Sequence, residues 1–439
     1  MDKRKFLRTV IELGKDVLII GLTCSALWML RGGGLWQRVS LTDDRVPGIT
    51  EQQVSAEDRA AAARPMSITA TMRCGVLPER CVVRYDEGGV DTLFRQLAGL
   101  LVETLSSVGE PGRVNRAAWE AALAQSPGFC FDFQGELPLS VLSGWLGVER
   151  ELPEITVRRL LLTVYGEDVA LYCYDLTQEQ WLRFTTGVVS VAQLENALEG
   201  LVSDGAYYAF ESEVTANMAP DTVLTPAPEP MPVCTASNPV AGGRSALEGL
   251  MGDLNINLTG CVFYPAAGAE VARIGSDTLR LSTAGVLEYH TDVEGAQQFP
   301  VTPINGESEA FAAVESCRGL LRQVMTERCG QVRPYLSRIE QTQQGWRVEF
   351  EYSLNGVSVA LKQGCAAAFE IRNGHITDFT LRLRSYALGE EEQLVLPPVQ
   401  AAAAMSALSL RGRELRLAYL DGGEERLVTN WAAVTDRAG

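Results

Sequence analysis

Leu279-Arg280-Leu281-Ser282 and Val286-Leu287-Glu288-Tyr289 flank the turn Thr283-Ala284-Gly285, and apolar and polar residues alternate on both sides of it. That alternation predicts a half-buried antiparallel hairpin. Reading outward, Ser308 to Cys329 has helical spacing and is closed by Gly330, a helix stop. Trp346 to Phe350 and Val357 to Leu361 then predict a hairpin turned at Asn355-Gly356, since Asn-Gly suits the tight turns that match strand twist. The same order returns. Phe369 to Ile371 and Ile376 to Leu383 turn at Asn373-Gly374, a helix runs from Val399 to Leu408, and Leu415 to Tyr419 and Arg426 to Val434 turn at Asp421-Gly422-Gly423. Hairpin, helix, hairpin occurs twice, about 90 residues apart, and spacing of that kind points to a duplicated unit.

The earlier part reads as α+β too. Ser67 to Tyr85 predicts two strands, and Leu93, Phe94, Leu97, Leu100 and Leu101 define a helix over Val90–Leu105. Further helices are expected at Asn115–Ala124, at Leu139–Leu146 after Pro138, and from Ser190 through Leu201; strands are expected at Phe129–Phe133, Ile155–Val164, Val169–Tyr174 and Trp181–Thr185. Pro220, Pro226, Pro228, Pro230, Pro232 and Pro239 favour extended chain and mark a candidate boundary, or else an edge strand threaded with prolines. The expected division is 1–38 as cytoplasmic flank and transmembrane anchor, 39–65 as linker, 66–235 as a first exported α+β domain, and 240–439 as a carboxy-terminal domain of two hairpin–helix–hairpin units.

The first 38 residues set the compartment. Lys3, Arg4, Lys5 and Arg8 precede an uncharged, mostly apolar run from Val17 to Leu30. A basic flank before such a run keeps the amino terminus in the cytoplasm and sends the downstream chain outside. The run is short for a span of about 20 residues, but Lys15 and Arg31 can snorkel. The bulky end Leu27-Trp28-Met29-Leu30 lacks the small residues of a cleavage site. An uncleaved single-pass anchor is therefore the reading, with a removed signal peptide and a buried amphipathic helix as alternatives. Gly21, Ser25 and Ala26 would let a second membrane helix approach, and Thr23 could hydrogen-bond across it.

The chain has 439 residues, 46% of them hydrophobic, and a formal net charge of −17. That supports real cores and argues against a nucleic-acid partner, because an acidic body repels phosphate. Ten cysteines suggest a disulfide framework, yet most sit at apolar positions that suit a buried small hydrophobe. Cys74 and Cys81, flanking Gly75-Val76-Leu77-Pro78, are the candidate disulfide by spacing. Cys317 and Cys329 fall on one expected helix, about 18 Å apart, and cannot bridge within it.

No residue is nominated as catalytic, cofactor-binding or metal-ligating. The chain has two histidines, His290 and His375, both beside hairpin turns, and it lacks GxSxG, HExxH, GxxxxGK[ST] and GxGxxG. Asp132 with Glu136, and the run Glu390-Glu391-Glu392, are the carboxylates a glycosidase could use; strand-end and loop carboxylates are more commonly solvated. Asn257-Leu258-Thr259 is a glycosylation sequon. Trp145, Trp181, Trp346 and Trp431 read as core.

Four stretches together resemble the YycH family: the basic flank with its single apolar run; Phe129-Cys130-Phe131-Asp132-Phe133 through Glu136-Leu137-Pro138-Leu139-Ser140; Thr278-Leu279-Arg280-Leu281-Ser282 through Gly285-Val286-Leu287-Glu288-Tyr289; and Phe350-Glu351-Tyr352 through Gly374-His375-Ile376-Thr377. The resemblance implies an α+β protein with one amino-terminal transmembrane helix and exported sheet-plus-helix domains, the last a duplicated unit like those of YycI and PepSY-type domains. It implies non-catalytic regulation of a sensor histidine kinase of WalK/YycG type, together with a YycI-like partner, at the cell membrane. A ligand-binding or inhibitory PepSY-type module and a wall-acting enzyme are the alternatives.

Overall fold

Asn355 and Gly356 have φ of 50° and 79°, and Asn373 and Gly374 have 50° and 76°. Left-handed geometry at both central residues is the tight turn that Asn-Gly favours, so both hairpins close where the sequence places them. The computed structural model describes residues 55–435 except 75–76, 228–229, 241, 293–297, 305, 409 and 411. The described residues belong to one unit, Ile49–Gly439. The run Val17–Leu30, with Gly21, Thr23, Ser25 and Ala26, lies outside them. Among the described residues no helix is long and apolar enough to cross a membrane.

The first sheet contains β1 (Ser67–Cys74), β2 (Leu77–Arg84), β3 (Gly112–Val114), β4 (Gly128–Pro138), β5 (Thr156–Tyr165), β6 (Asp168–Asp175) and β7 (Gln180–Thr186), in the order β2-β1-β4-β5-β6-β7-β3. Helices α1 (Ala56–Ala63), α2 (Glu87–Ser107), α3 (Arg116–Leu123), α4 (Leu139–Leu146) and α5 (Val191–Ala197) accompany it. Helix α2 buries Leu93, Phe94, Leu97 and Leu101, the stripe its spacing predicts. Ser190 caps α5 with a capping box to Gln193.

A short ladder, β8 (Tyr207–Tyr208) with β9 (Val223–Leu224), leads to β10 (Pro230–Ser237). The proline stretch thus includes a strand. Pro230 and Pro232 sit where β10 pairs on one side only, with β20, and β22 joins at Cys234 and Thr235. Proline lacks an N–H and is tolerated where no second ladder needs one.

The second sheet has eleven strands. Helix α6 (Arg244–Asp253) precedes β11 (Val262–Ala266), β12 (Ala269–Ile274), β13 (Asp277–Ser282) and β14 (Val286–His290). After α7 (Glu309–Met325) come β15 (Val332–Thr342), β16 (Gly345–Leu354), β17 (Val357–Leu361), β18 (Ala367–Arg372), β19 (His375–Arg382) and β20 (Ser385–Leu394). Helix α8 (Pro398–Ala407) is followed by β21 (Arg413–Asp421), β22 (Arg426–Leu427) and β23 (Thr429–Thr435). The order is β11-β12-β13-β14-β19-β18-β16-β17-β21-β23, with β15 on β16, while β20 leaves for the β20-β10-β22 ladder. Among the described strands of this sheet, every pairing is antiparallel except β17 with β21. One apolar core runs through both sheets, from Phe129 and Leu160 to Phe350 and Phe379.

Three expectations change. Residues 56–63 of the stretch expected as linker are helical, because Ser55 caps α1 through the Asp58 N–H and Ala63 is buried in the core. Helix α7 starts after Ser308 as expected but ends at Met325. Cys329 lies beyond it, where its carbonyl accepts from the Tyr386 N–H, so a pairing with β20 competes with another helical turn. The candidate bridge fails on register: Cys74 faces Leu77, and Cys81, a free thiol, faces Ala70. Four rungs of about 3.3 Å part the two Cα atoms, well beyond disulfide reach.

Candidate functional site

Two features outside ordinary core packing stand out: a buried ion cluster where the sheets meet, and an apolar groove at the far end of the second sheet. The cluster begins with a bulge in β4 between Asp132 and Leu137. The bulge carries Gly135 so close to β15 that a Cβ there would lie 2.0 Å from the Leu336 carbonyl oxygen. Gln134 takes φ of 60°, and its N–H donates to Asp132 Oδ1 at 2.8 Å. Asp132 accepts from Arg159 Nε at 2.9 Å and from Arg158 Nη2 at 3.1 Å. The same arginines hold Glu414 of β21, and Arg159 also faces Asp221 at 3.6 Å. Across the seam Gln134 Oε1 accepts from Ser358 Oγ at 2.6 Å and from Arg416 Nη1 at 3.2 Å.

Burial would raise the Asp132 pKa, but Arg158, Arg159, the Gln134 N–H and Arg416 together outweigh it and hold the carboxyl well below the usual range. Glu136 pairs with Arg338 at 3.5 Å. Neither carboxylate is the solvated strand-end group expected from sequence; both tie the first sheet to the second. The sequence signal for this cluster was the Arg158-Arg159 pair inside an apolar strand, where charge survives only if paired. Glu414 and Asp221 carry no local signal.

A second tie carries no local sequence signal. Asn355 Oδ1, in the β16–β17 turn, accepts from the Glu87 N–H at 3.0 Å, and its amide donates to the Tyr85 carbonyl at 3.2 Å. A turn of the second sheet thus serves the first turn of α2, which has no side-chain cap of its own.

The groove, about 640 Å³, lies between α8, the chain entering it and the face of β21 and β23; Leu394, Leu396, Ala404, Met405, Leu408 and Trp431 line it. Helix α8 carries no charged residue and buries only Pro398, Ala401, Ala402 and Met405. Leu394 is 77% exposed, Leu408 69% and Leu396 55%, so the apolar surface is continuous and open. Trp431 is half-buried and anchors the wall by donating from Nε1 to the Leu396 carbonyl at 2.8 Å. Among the described residues β23 ends the sheet and pairs only with β21, which leaves an edge able to accept another strand or to flank a docked helix.

The remaining sequence candidates are dispersed. His290 Nδ1 lies 2.6 Å from Asp378 Oδ1 on the neighbouring strand, and His375 sits after its turn with Nδ1 3.2 Å from the Asn373 carbonyl. Asn257 is exposed, its Oδ1 accepting from the Thr259 N–H at 2.9 Å. Trp145 is buried, whereas Trp181 and Trp346 are half-buried. Cys130, Cys173, Cys234, Cys317 and Cys329 are buried free thiols; burial pushes Cys130 up to about 12, far from a reactive thiolate.

No family model matches the chain, and no curated protein does. Among solved structures it is similar to YycH from Bacillus subtilis, with a TM-score of 0.55 and 11% sequence identity, over 85% of this chain and 94% of that chain. At that identity the likeness is one of fold, and at the level of fold the resemblance read from the four stretches of sequence holds.

Proposed function

We propose that this protein is a non-catalytic regulator of a cell-envelope two-component sensor kinase of WalK/YycG type. It is held at the membrane by Val17–Leu30, with its amino terminus in the cytoplasm and the body outside. The observation that carries the reading is the YycH-like fold over 85% of the chain, attached to a basic flank and an apolar run in the expected order. Gly21, Ser25 and Ala26 are the small residues that would let the kinase's membrane helix approach, and Thr23 would supply a hydrogen bond between the two helices. The body contacts the kinase ectodomain and a YycI-like partner, and binding one kinase state better than the other shifts its equilibrium. The recurrence of hairpin, helix and hairpin over 240–439 supports reading that part as a PepSY/YycI-like duplication. Asp132, kept ionised between two arginines, suits a tie between sheets better than a general acid, whose proton affinity must lie near working pH.

The test is detergent-solubilised affinity purification of the full-length protein beside a version with residues 1–38 replaced by an unrelated span. The reading expects a sensor kinase with the native span and its loss with the replacement. Absence of a kinase from both preparations overturns it.

A further inference from the structure

Helices α7 and α8 hold the same place in the recurring hairpin–helix–hairpin order, yet their outer faces differ. The α7 face is covered. Gly144 of α4 comes so near that a Cβ would lie 2.5 Å from the Phe311 ring, Trp145 Nε1 donates to Glu315 at 2.7 Å, and Arg59 of α1 stacks over Phe311 at 5.4 Å. The α8 face has no such cover among the described residues. Val399, Ala403 and Ala407, on the side away from the groove, are exposed, and so are Ala404 and Leu408 within its lining.

An uncharged exposed helix beside a 640 Å³ apolar groove is the kind of patch that marks an interaction site. Charge selects its occupant. β20 enters the groove directly after Glu390, Glu391 and Glu392, all exposed. Glu391 pairs with Arg426 at 2.7 Å, while Glu390 and Glu392 have no ion-pair partner among the described residues. A second copy of this chain would bring the same acidic rim against itself, whereas a basic partner is attracted.

We infer that the α8–β23 groove receives an amphipathic helix of a partner protein, with its apolar face against Leu394, Leu408 and Trp431 and its Lys or Arg side chains against Glu390 and Glu392. The inference rests on the regulator reading for its biological sense. It places one contact on the body, separate from the membrane contact proposed for Gly21, Thr23, Ser25 and Ala26, and the geometry matches helix-in-groove recognition, in which apolar anchors recur at helical spacing.

The test uses the purified full-length protein in detergent, without kinase. The probe is a synthetic helical peptide with leucines on one face and lysines on the other, compared with the same peptide carrying glutamate for lysine. Hydrogen exchange should show that the lysine peptide protects Pro398–Ala407 and Thr429–Thr435 and that the glutamate peptide does not. Ala404→Trp, which fills the groove from an exposed position, should weaken the lysine peptide about tenfold, the loss of one anchor contact, and Glu390→Lys with Glu392→Lys should weaken it while leaving thermal unfolding unchanged. Equal protection by both peptides, protection elsewhere, or binding indifferent to Ala404→Trp overturns the inference. So does protection of α8 that grows with protein concentration and no peptide, which would assign the groove to a second copy. Because no kinase takes part, failure here is separable from failure of the co-purification.

Discussion

Helix α7 comes after β14 and helix α8 after β20, and among the described residues the first is covered while the second has an open face. Helix α7 runs from Glu309 to Met325 with Phe311, Val314, Cys317, Leu320 and Val324 inaccessible to solvent, and even its Glu315 is buried. That carboxylate is tolerated because Trp145 and Arg318 both donate to it. Helix α8 has small residues, no charge and a broad face in water. An element's place in the chain does not decide whether it is core. What decides is whether another part of the chain reaches over it, as α4 and α1 reach over α7.

The contrast yields a graded series, each member measured by denaturant unfolding. Phe311→Ala in α7 should cost about 3–5 kcal/mol, the transfer loss plus the cavity left by a fully enclosed ring; a cost near that of a surface change would show that α7 is not the sealed helix. Glu315→Ala should cost about 3 kcal/mol, because it strands Arg318 and the Trp145 N–H without their acceptor; Glu315→Gln, which keeps an acceptor, should recover part of it. Asp132→Asn at the sheet junction should cost about 2 kcal/mol at neutral pH, the range for charge-assisted hydrogen bonds.

That third cost depends on pH with a definite sign. The Asp132 pKa is lower in the folded than in the unfolded chain, so its contribution is fully present above the unfolded value of about 3.9 and fades as pH falls toward the folded one. Asp421 behaves alike: burial raises its pKa, but Arg384, Tyr386 and the Gly423 N–H lower it more. Acid titration of stability should therefore be shallower in Asp132→Asn than in the parent below about pH 4; parallel curves would remove Asp132 from the seam. At the groove the effects shrink. Trp431→Phe should cost about 1 kcal/mol for the lost bond to the Leu396 carbonyl. Leu408→Ser, on the open face, should change stability by less than about 0.5 kcal/mol, and a larger loss would mean that α8 is covered after all.

Part of this contrast was legible in the sequence. The apolar stripe of α2, the start of α4 after Pro138, the Ser190 and Ser308 caps and the two Asn-Gly turns are local rules satisfied by neighbouring residues. The candidate site was less legible. Glu390-Glu391-Glu392 reads as a solvated run, and nothing in Pro398–Ala407 shows that its outer face stays bare, since an alanine-rich helix suits a core equally well. Asp132 reads as solvated because it flanks a strand end; its arginines come from the next strand and its other carboxylate neighbours from residues 221 and 414.

The sequence by itself determined the two Asn-Gly hairpins, the β13–β14 hairpin and helices α2, α4, α5 and α7 up to their ends, because period-2 and period-3.6 patterning, caps and glycine turns act over a few residues. Tertiary structure alone decided that β10 would take prolines on its open side, that α7 would stop at Met325 so that Cys329 could pair with Tyr386, and that a β4 bulge would lock Asp132 between the sheets. It alone left the outer face of α8 uncovered among the described residues. These outcomes depend on groups far apart in the chain, whose meeting is set by which surfaces the whole fold brings together and not by any local preference.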